Sequence, residues 1–163
     1  ELVGFGAGHD AYEARQPSRP HPEGRGTAVA LRKALQDAGV RPEQVSLVAS
    51  FACGLREHDR SEAAAIRTVL GQHAARVPVM NIKAGLGNNG AGSGALDFIA
   101  AVLAVHSGRV PPAFNSSPVD PNCGLNVMST GLTSVDLEYT VSTAYALGGG
   151  QNAALVIKRH TNG

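Results

Sequence analysis

The chain has 163 residues, 43% of them hydrophobic and 17% charged, which is the size and composition of one globular domain with a substantial core. Its formal net charge is +1 and its lysines and arginines form no cluster, so we expect neither nucleic acid nor an anionic membrane as a partner. Two cysteines cannot make a disulfide framework, no charged leader with an apolar stretch precedes Leu2, and no segment approaches a membrane span, so we expect a cytoplasmic protein.

Hydrophobic periodicity predicts a single domain over residues 1–163 in which strands and helices alternate. A first strand is predicted over residues 2–6. Apolar residues then recur at helical spacing and stop at Gly39, a natural C-terminal cap for a helix. A second strand is predicted over residues 45–51.

The next predicted helix begins near Asp59 and Glu62, whose spacing is like that of a capping box. It ends at Gly71, and a third strand follows over residues 77–82. The two acids therefore have a simple interpretation as helix caps.

The longest apolar helix is predicted from about Gly90 to His106, and we expect it to be the most buried element. Its apolar face consists of Leu96, Ile99, Ala100 and Leu103. Two strands, over residues 137–145 and 153–158, complete the order β-α-β-α-β-α-β-β. The pattern alone indicates an α/β sheet with crossover helices.

Two segments carry a resemblance to β-ketoacyl synthases. Residues 51–62 resemble the H-G-T-G-T-x-x-x-D-x-x-E motif of that family, with Gly54, Asp59 and Glu62 matching and Phe51 in place of the histidine. Residues 83–88 resemble the K-S-x-x-G-H motif, with Lys83 and Gly87 kept and Asn88 in place of the second histidine.

The resemblance extends to both ends of the chain. Residues 2–11, 108–112 and 120–121 are similar to segments of the second half of a ketosynthase, and Gly149, Gly150 and Asn152 match the end of a G-F-G-G-x-N-A loop. The family places a gating phenylalanine in that loop, where this chain has Gly148. A flexible turn between two strands is the plainer interpretation of these glycines.

The family resemblance implies half of a thiolase fold, with a mixed five-stranded sheet and crossover helices. The other half, which in the family carries the nucleophilic cysteine, is not in this sequence. Since the two halves of that fold stack their central helices, an isolated half should expose an apolar helix face and need a partner.

No catalytic residue is expected in this chain. In condensing enzymes the two histidines bind the thioester carbonyl and assist decarboxylation, which requires a ring nitrogen that donates and titrates near neutral pH. Phe51 is interpreted as a core residue and Asn88 as a turn or helix-start residue. The family's polar network implies a structural role for Asp59, Glu62 and Lys83, with a buried ion pair between Lys83 and Glu62.

The sequence therefore indicates a non-catalytic ketosynthase-like subunit or half-subunit, similar to a chain-length factor, that completes or shapes the acyl-chain cavity of a partner. The partner would be a ketosynthase or a separate N-terminal ketosynthase half, and an acyl carrier protein is a further candidate. An alternative is the C-terminal half of a split β-ketoacyl synthase or of a non-elongating ketosynthase that only transfers acyl groups. We expect no cofactor and, because none of the six histidines has metal-ligand spacing with another, no metal.

A second alternative is a nucleotide-binding module, because residues 85–90 form a literal G-x-G-x-x-G between a predicted strand and a predicted helix. A dinucleotide site usually has an acidic residue about twenty positions farther on, and residues 110–115 contain none. The motif also normally follows a first strand, whereas here two βα units precede it.

Overall fold

The computed structural model describes residues 1–10, 19–148 and 150–161. In these residues it has eight strands, β1 to β8, at Leu2–His9, Val45–Ala49, Pro78–Met80, Arg109–Val110, Asn126–Val127, Leu132–Thr133, Tyr139–Tyr145 and Gln151–Lys158. The α-helices α1 to α4 are Arg25–Ala38, Arg56–Leu70, Lys83–Leu86 and Ser93–Ser107. Short 3₁₀ turns lie at Pro42–Gln44, Gly71–Ala75 and Gly90–Gly92.

Six strands form one mixed sheet in the order β1-β8-β7-β2-β3-β5. Strand β2 is parallel to both β3 and β7, whereas β8 is antiparallel to β7 and to β1. The predicted α/β fold with a mixed sheet is confirmed. The expected strand count of five was one short, because the two-residue β5 adds a parallel edge beside β3.

Close packing of the first strand on the first helix depends on glycines that alternate along β1. A Cβ atom at Gly6 would lie 2.0 Å from the carbonyl oxygen of Ala30, and one at Gly4 would lie 2.3 Å from that of Ala34. Side chains at these positions would therefore force the helix away from the strand. As predicted, α1 ends at Gly39, which adopts the left-handed conformation with φ 65°.

Buried apolar side chains form one cluster on each face of the sheet. Helices α1 and α2 cover one face with residues that include Leu31, Leu35 and Ile66. Helix α4 covers the other face with Ala101, Ala104 and Val105. The crossover connections through α2 and through α4 thus lie on opposite faces of the sheet.

Helix α4 is not the most buried element. Its inner side packs on the sheet, but Ile99 is 52% exposed and Leu103 is 59% exposed on its outer side, with Val102 beside them. The apolar face that we expected an isolated half to expose is therefore present. We call Ile99, Val102 and Leu103 the outer face of α4.

We expected that no segment approaches a membrane span, but one helix has the length and the apolar composition of such a span. Residues Gly90–Ser107 form an 18-residue helical segment that is long and apolar enough to cross a membrane. In this fold one side of the segment packs on a sheet, and it carries a buried acid, Asp97. Both features are usual for a helix that packs in the interior of an α/β fold.

Candidate functional site

The chain reverses its winding direction between β2 and β7. From β2 it passes through α2 to β3 on one side, and later through α4 to β7 on the other side. In open α/β sheets, ligands bind in the crevice outside the carboxyl ends of the strands at such a point. Phe51 follows β2 here and Tyr145 ends β7, so these two residues mark the candidate site.

Phe51 is a core residue, as predicted, with only 4% of its surface exposed. The Tyr145 ring lies against it with 4.5 Å between ring centroids. The Lys83 ammonium also lies over the Phe51 ring, 3.9 Å from its centroid. Phe51 therefore offers no polar group, but its ring stabilises a nearby cation.

The buried ion pair predicted between Lys83 and Glu62 is wrong, because Lys83 pairs with Asp97 of α4. Both side chains of this pair are buried. Burial raises the pKa of the Asp97 carboxyl, and the hydrogen bond and charge of Lys83 oppose that rise. The ammonium thus has two neighbours, a carboxylate from α4 and an aromatic ring from the loop after β2.

Glu62 instead holds the backbone of the loop after β2. Its two carboxylate oxygens accept hydrogen bonds from the N–H groups of Phe51 and Ala52, each at 2.8 Å, and Thr143 Oγ1 donates a further bond. Complete burial raises the pKa of the Glu62 carboxyl although these three bonds favour its charged form. The capping-box interpretation is therefore wrong for Glu62, which points into the protein.

Asp59 also binds the backbone of the loop after β2, near the end of that loop. Its Oδ1 accepts a hydrogen bond from the Gly54 N–H at 3.3 Å and lies 3.8 Å from Cys53 Sγ. Burial is the main cause of the raised pKa of the Asp59 carboxyl. Helix α2 begins at Arg56, with Leu55 as its N-cap residue and no side-chain cap, so Asp59 lies in the first turn of the helix and is not its N-cap.

Asn88 is a helix-start residue, as predicted. Its Oδ1 accepts hydrogen bonds from the Gly90 N–H at 3.0 Å and from Ser93 Oγ at 2.8 Å. The amide oxygen thereby orders the turn that leads into α4, and an amide cannot act as an acid or base at neutral pH. The side chain is engaged in local structure.

The loop between β7 and β8 uses glycine where its backbone requires it. Gly148 and Gly150 have positive φ values of 86° and 68°, and a Cβ atom at Gly150 would lie 2.3 Å from the Asp10 carbonyl oxygen. Gly149 lies outside the described residues. Asn152 accepts a hydrogen bond from Thr27 Oγ1 at 2.6 Å and donates one to the Gly150 carbonyl oxygen at 2.8 Å.

Sequence reasoning missed two residues of the site, Asp97 and Tyr145. Asp97 had a usable signal, because it is the single Asp, Glu, Lys or Arg in the apolar segment that forms α4. A lone charge in such a segment usually has a buried partner. Tyr145 had no comparable signal, since aromatic residues are common in strands.

A cleft of about 530 Å³ opens beside these loops, between α2 and the segment over residues 113–127. Cys53, Lys83 and Asn88 are among the residues that line it. Burial raises the pKa of the Cys53 thiol, so the reactive thiolate is scarce at neutral pH and the interpretation of Cys53 as a small apolar residue is favoured.

The geometry does not favour a nucleotide at the carboxyl edge of the sheet. Residues Lys83–Leu86 form α3, so Gly85 lies inside a short helix and the glycine motif does not run directly from strand to long helix. Across residues 1–10, 19–148 and 150–161, no three His, Cys, Asp or Glu side chains are grouped closely enough to hold a metal ion.

Comparison with known proteins places the chain in a family. Residues 1–117 match the family described as "Beta-ketoacyl synthase, C-terminal domain". The chain is 32% identical over 160 residues to 3-oxoacyl-[acyl-carrier-protein] synthase 2 of Synechocystis sp., an alignment covering 98% of this chain and 38% of that protein. It is 31% identical over 159 residues to the protein of the same name from Coxiella burnetii, covering 98% and 37%.

Solved structures show the same likeness. "The ishigamide ketosynthase/chain length factor" matches with a TM-score of 0.87 and 30% identity, covering 98% of this chain and 38% of that one. A ketosynthase (ApeO) in complex with its chain length factor (ApeC) from Xenorhabdus doucetiae matches with a TM-score of 0.77 and 25% identity, covering 98% and 39%. The chain therefore belongs to the β-ketoacyl synthase family and has its thiolase-like fold, and it spans under two fifths of the length of these relatives.

Proposed function

We propose that this chain is a non-catalytic, chain-length-factor-like ketosynthase subunit or half-subunit of a polyketide or fatty-acid synthase. It would complete or shape the acyl-chain cavity of a partner. The proposal depends on which side chains stand at the two positions that correspond to the family's histidines, and on what those side chains contact. Phe51 is packed under the Lys83 ammonium, and Asn88 is bound to the start of α4.

Decarboxylative condensation needs groups that donate a hydrogen bond to a thioester oxygen and change charge near neutral pH. A phenyl ring does neither. The Asn88 amide can donate a hydrogen bond through Nδ2, but it does not change charge near neutral pH, and its oxygen already accepts two hydrogen bonds that fix the side chain to the turn before α4. The contacts of Phe51 and Asn88 thus support a structural role for both side chains and no role in proton transfer.

The partner is proposed to be a ketosynthase or a separate N-terminal ketosynthase half, with an acyl carrier protein as the source of the chain. The outer face of α4 supports this, because exposed Ile99, Val102 and Leu103 form an apolar strip that a partner would cover. The matched chain length factor structures contain a ketosynthase with its chain length factor. Such an assembly would work in the cytoplasm, without nucleic acid.

The proposal is tested by reconstituting the chain with its ketosynthase partner and measuring malonyl-carrier decarboxylation and product length. Asn88→Ala and Phe51→Leu should leave the decarboxylation rate within about threefold of wild type, because neither side chain takes part in proton transfer. If each variant abolished turnover while circular dichroism and partner binding were unchanged, the chain would be catalytic and the proposal wrong.

The identity to 3-oxoacyl-[acyl-carrier-protein] synthases favours one alternative, the C-terminal half of a split or a non-elongating, acyl-transferring ketosynthase. Acyl transfer needs a nucleophile more than it needs two histidines. The same reconstitution separates the two functions. An acyl-enzyme that forms on the first half and passes to a carrier without decarboxylation would favour the alternative.

A further inference from the structure

The crevice at the carboxyl ends of β2 and β7 is filled by the protein's own aromatic side chains. Tyr145 lies against Phe51, and its ring is also stacked with the His58 ring at 5.8 Å between centroids with 14° between the planes. Its hydroxyl is 3.4 Å from Cys53 Sγ. Four side chains from the β2 loop, the start of α2 and the end of β7 thus meet where a ligand would enter.

The Phe51 and Tyr145 rings of this cluster are held with different strength. The Phe51 backbone is bound by Glu62 and its ring lies under the Lys83 ammonium, so its position depends on two buried charged groups. Tyr145 is held by ring contacts and by one long contact to a thiol, and part of it is exposed. If the crevice opens, the Tyr145 side chain is the part that must move or be removed.

We infer that Tyr145 is a specificity-determining residue that closes this crevice to a thioester-linked acyl arm. This inference rests on the proposed function, because it explains how the subunit can border an acyl cavity without accepting the thioester at its own β2–β7 crevice. The Tyr145 ring occupies the space next to Phe51, and a narrow, elongated arm would have to displace it. Cys53 already borders the 530 Å³ cleft, which Tyr145 does not line, so removing the ring should open a second path to Cys53 from the side of the crevice.

Cys53 provides a readout that does not depend on any enzymatic activity. Its thiol contacts the Tyr145 hydroxyl directly, and it lines the same region as the second cysteine of the chain, Cys123. Both thiols are half-buried, and burial raises the pKa of each. Cys123 is thus an internal control whose reaction rate Tyr145 variants should leave unchanged.

The experiment measures modification of each cysteine by N-ethylmaleimide, followed by peptide mass spectrometry, on the full chain as purified with its partner. Tyr145→Ala and Tyr145→Val should raise the Cys53 rate roughly tenfold, since thiol reactivity follows access. Tyr145→Phe keeps the ring and loses the hydroxyl, so it should leave Cys53 as protected as in wild type. Equal Cys53 rates in wild type, Tyr145→Ala and Tyr145→Val would overturn the inference.

A second arm tests the ligand class with octanoyl-N-acetylcysteamine, a small acyl thioester, by saturation-transfer NMR. Binding by Tyr145→Val but not by wild type or Tyr145→Phe is expected. Equal binding by wild type and Tyr145→Val would contradict the inference even if the maleimide result held. Neither readout depends on condensation activity. A catalytic role found for Phe51 or Asn88 would therefore refute the proposed function, but the two measurements would still test the role of Tyr145.

Discussion

The pairing of Lys83 with Asp97 can be tested by removing each member alone and then both together. Lys83→Met leaves a buried carboxylate without its cation, and Asp97→Leu leaves a buried ammonium whose remaining neighbour is the Phe51 ring. Removing one member of a buried pair typically costs about 3–5 kcal/mol.

For a domain of this size, each kcal/mol shifts the melting temperature by about 2–4 °C, so each single variant should lose about 6–20 °C. The double variant Lys83→Met/Asp97→Leu places two apolar side chains in contact and should be more stable than either single variant. Thermal and urea unfolding at pH 7 would give the four free energies of the cycle. The exposed Arg60–Asp120 pair serves as a control, because its replacement should change stability by less than about 1 kcal/mol.

Strict additivity in the cycle would refute the reasoning, because it would show that the two side chains do not interact. A parallel cycle of Lys83→Met with Glu62→Gln addresses the interpretation that the sequence favoured. Glu62 binds backbone N–H groups rather than the ammonium, so this second cycle should show much weaker coupling. Stronger coupling of Lys83 to Glu62 than to Asp97 would contradict the contact between Lys83 and α4.

Two further predictions follow from burial and exposure. Burial raises the pKa of the Glu62 carboxyl, so the folded state binds its proton more tightly than the unfolded state does. Stability should therefore fall as pH rises from the unfolded pKa through the folded one, and Glu62→Gln should flatten that dependence in urea unfolding between pH 4 and pH 8. A wild-type stability that rose over this interval would contradict the prediction. Leu103→Asp should abolish co-purification with the partner, because it places a charge on the outer face of α4. Val29→Asp on α1 should not abolish it. Equal retention by both variants would show that the partner binds elsewhere.

Much of the scaffold could be predicted because its signals are local. The helix that ends at Gly39 shows apolar residues at helical spacing and a glycine at the position that adopts a left-handed conformation. Phe51 follows an apolar strand, and its burial follows from that context. The turn at Asn88 was predictable for the same reason, since asparagine commonly bonds nearby backbone groups in turns.

The partners of the charged residues could not be predicted from spacing, because they depend on which face of the sheet each helix covers. Lys83 follows β3, and either α2 with Glu62 or α4 with Asp97 could have supplied its carboxylate. The fold places these helices on opposite faces, and Lys83 turns towards α4. The spacing of Asp59 and Glu62 also led to a wrong prediction of where α2 begins. It matches a capping box that would start the helix at Asp59, but α2 begins earlier, at Arg56.

The loop after β2 explains why charged residues persist beside positions that have lost titratable side chains. Glu62 binds the main-chain N–H of Phe51, and that bond depends on the backbone, so it is indifferent to the side chain at position 51. The side chain matters to Lys83, whose buried ammonium needs a second neighbour besides Asp97, and the face of an aromatic ring provides one without accepting or donating a proton. A phenylalanine at this position therefore gives the buried ammonium a second neighbour while it offers no group for proton transfer, which is the combination that the proposed structural subunit requires.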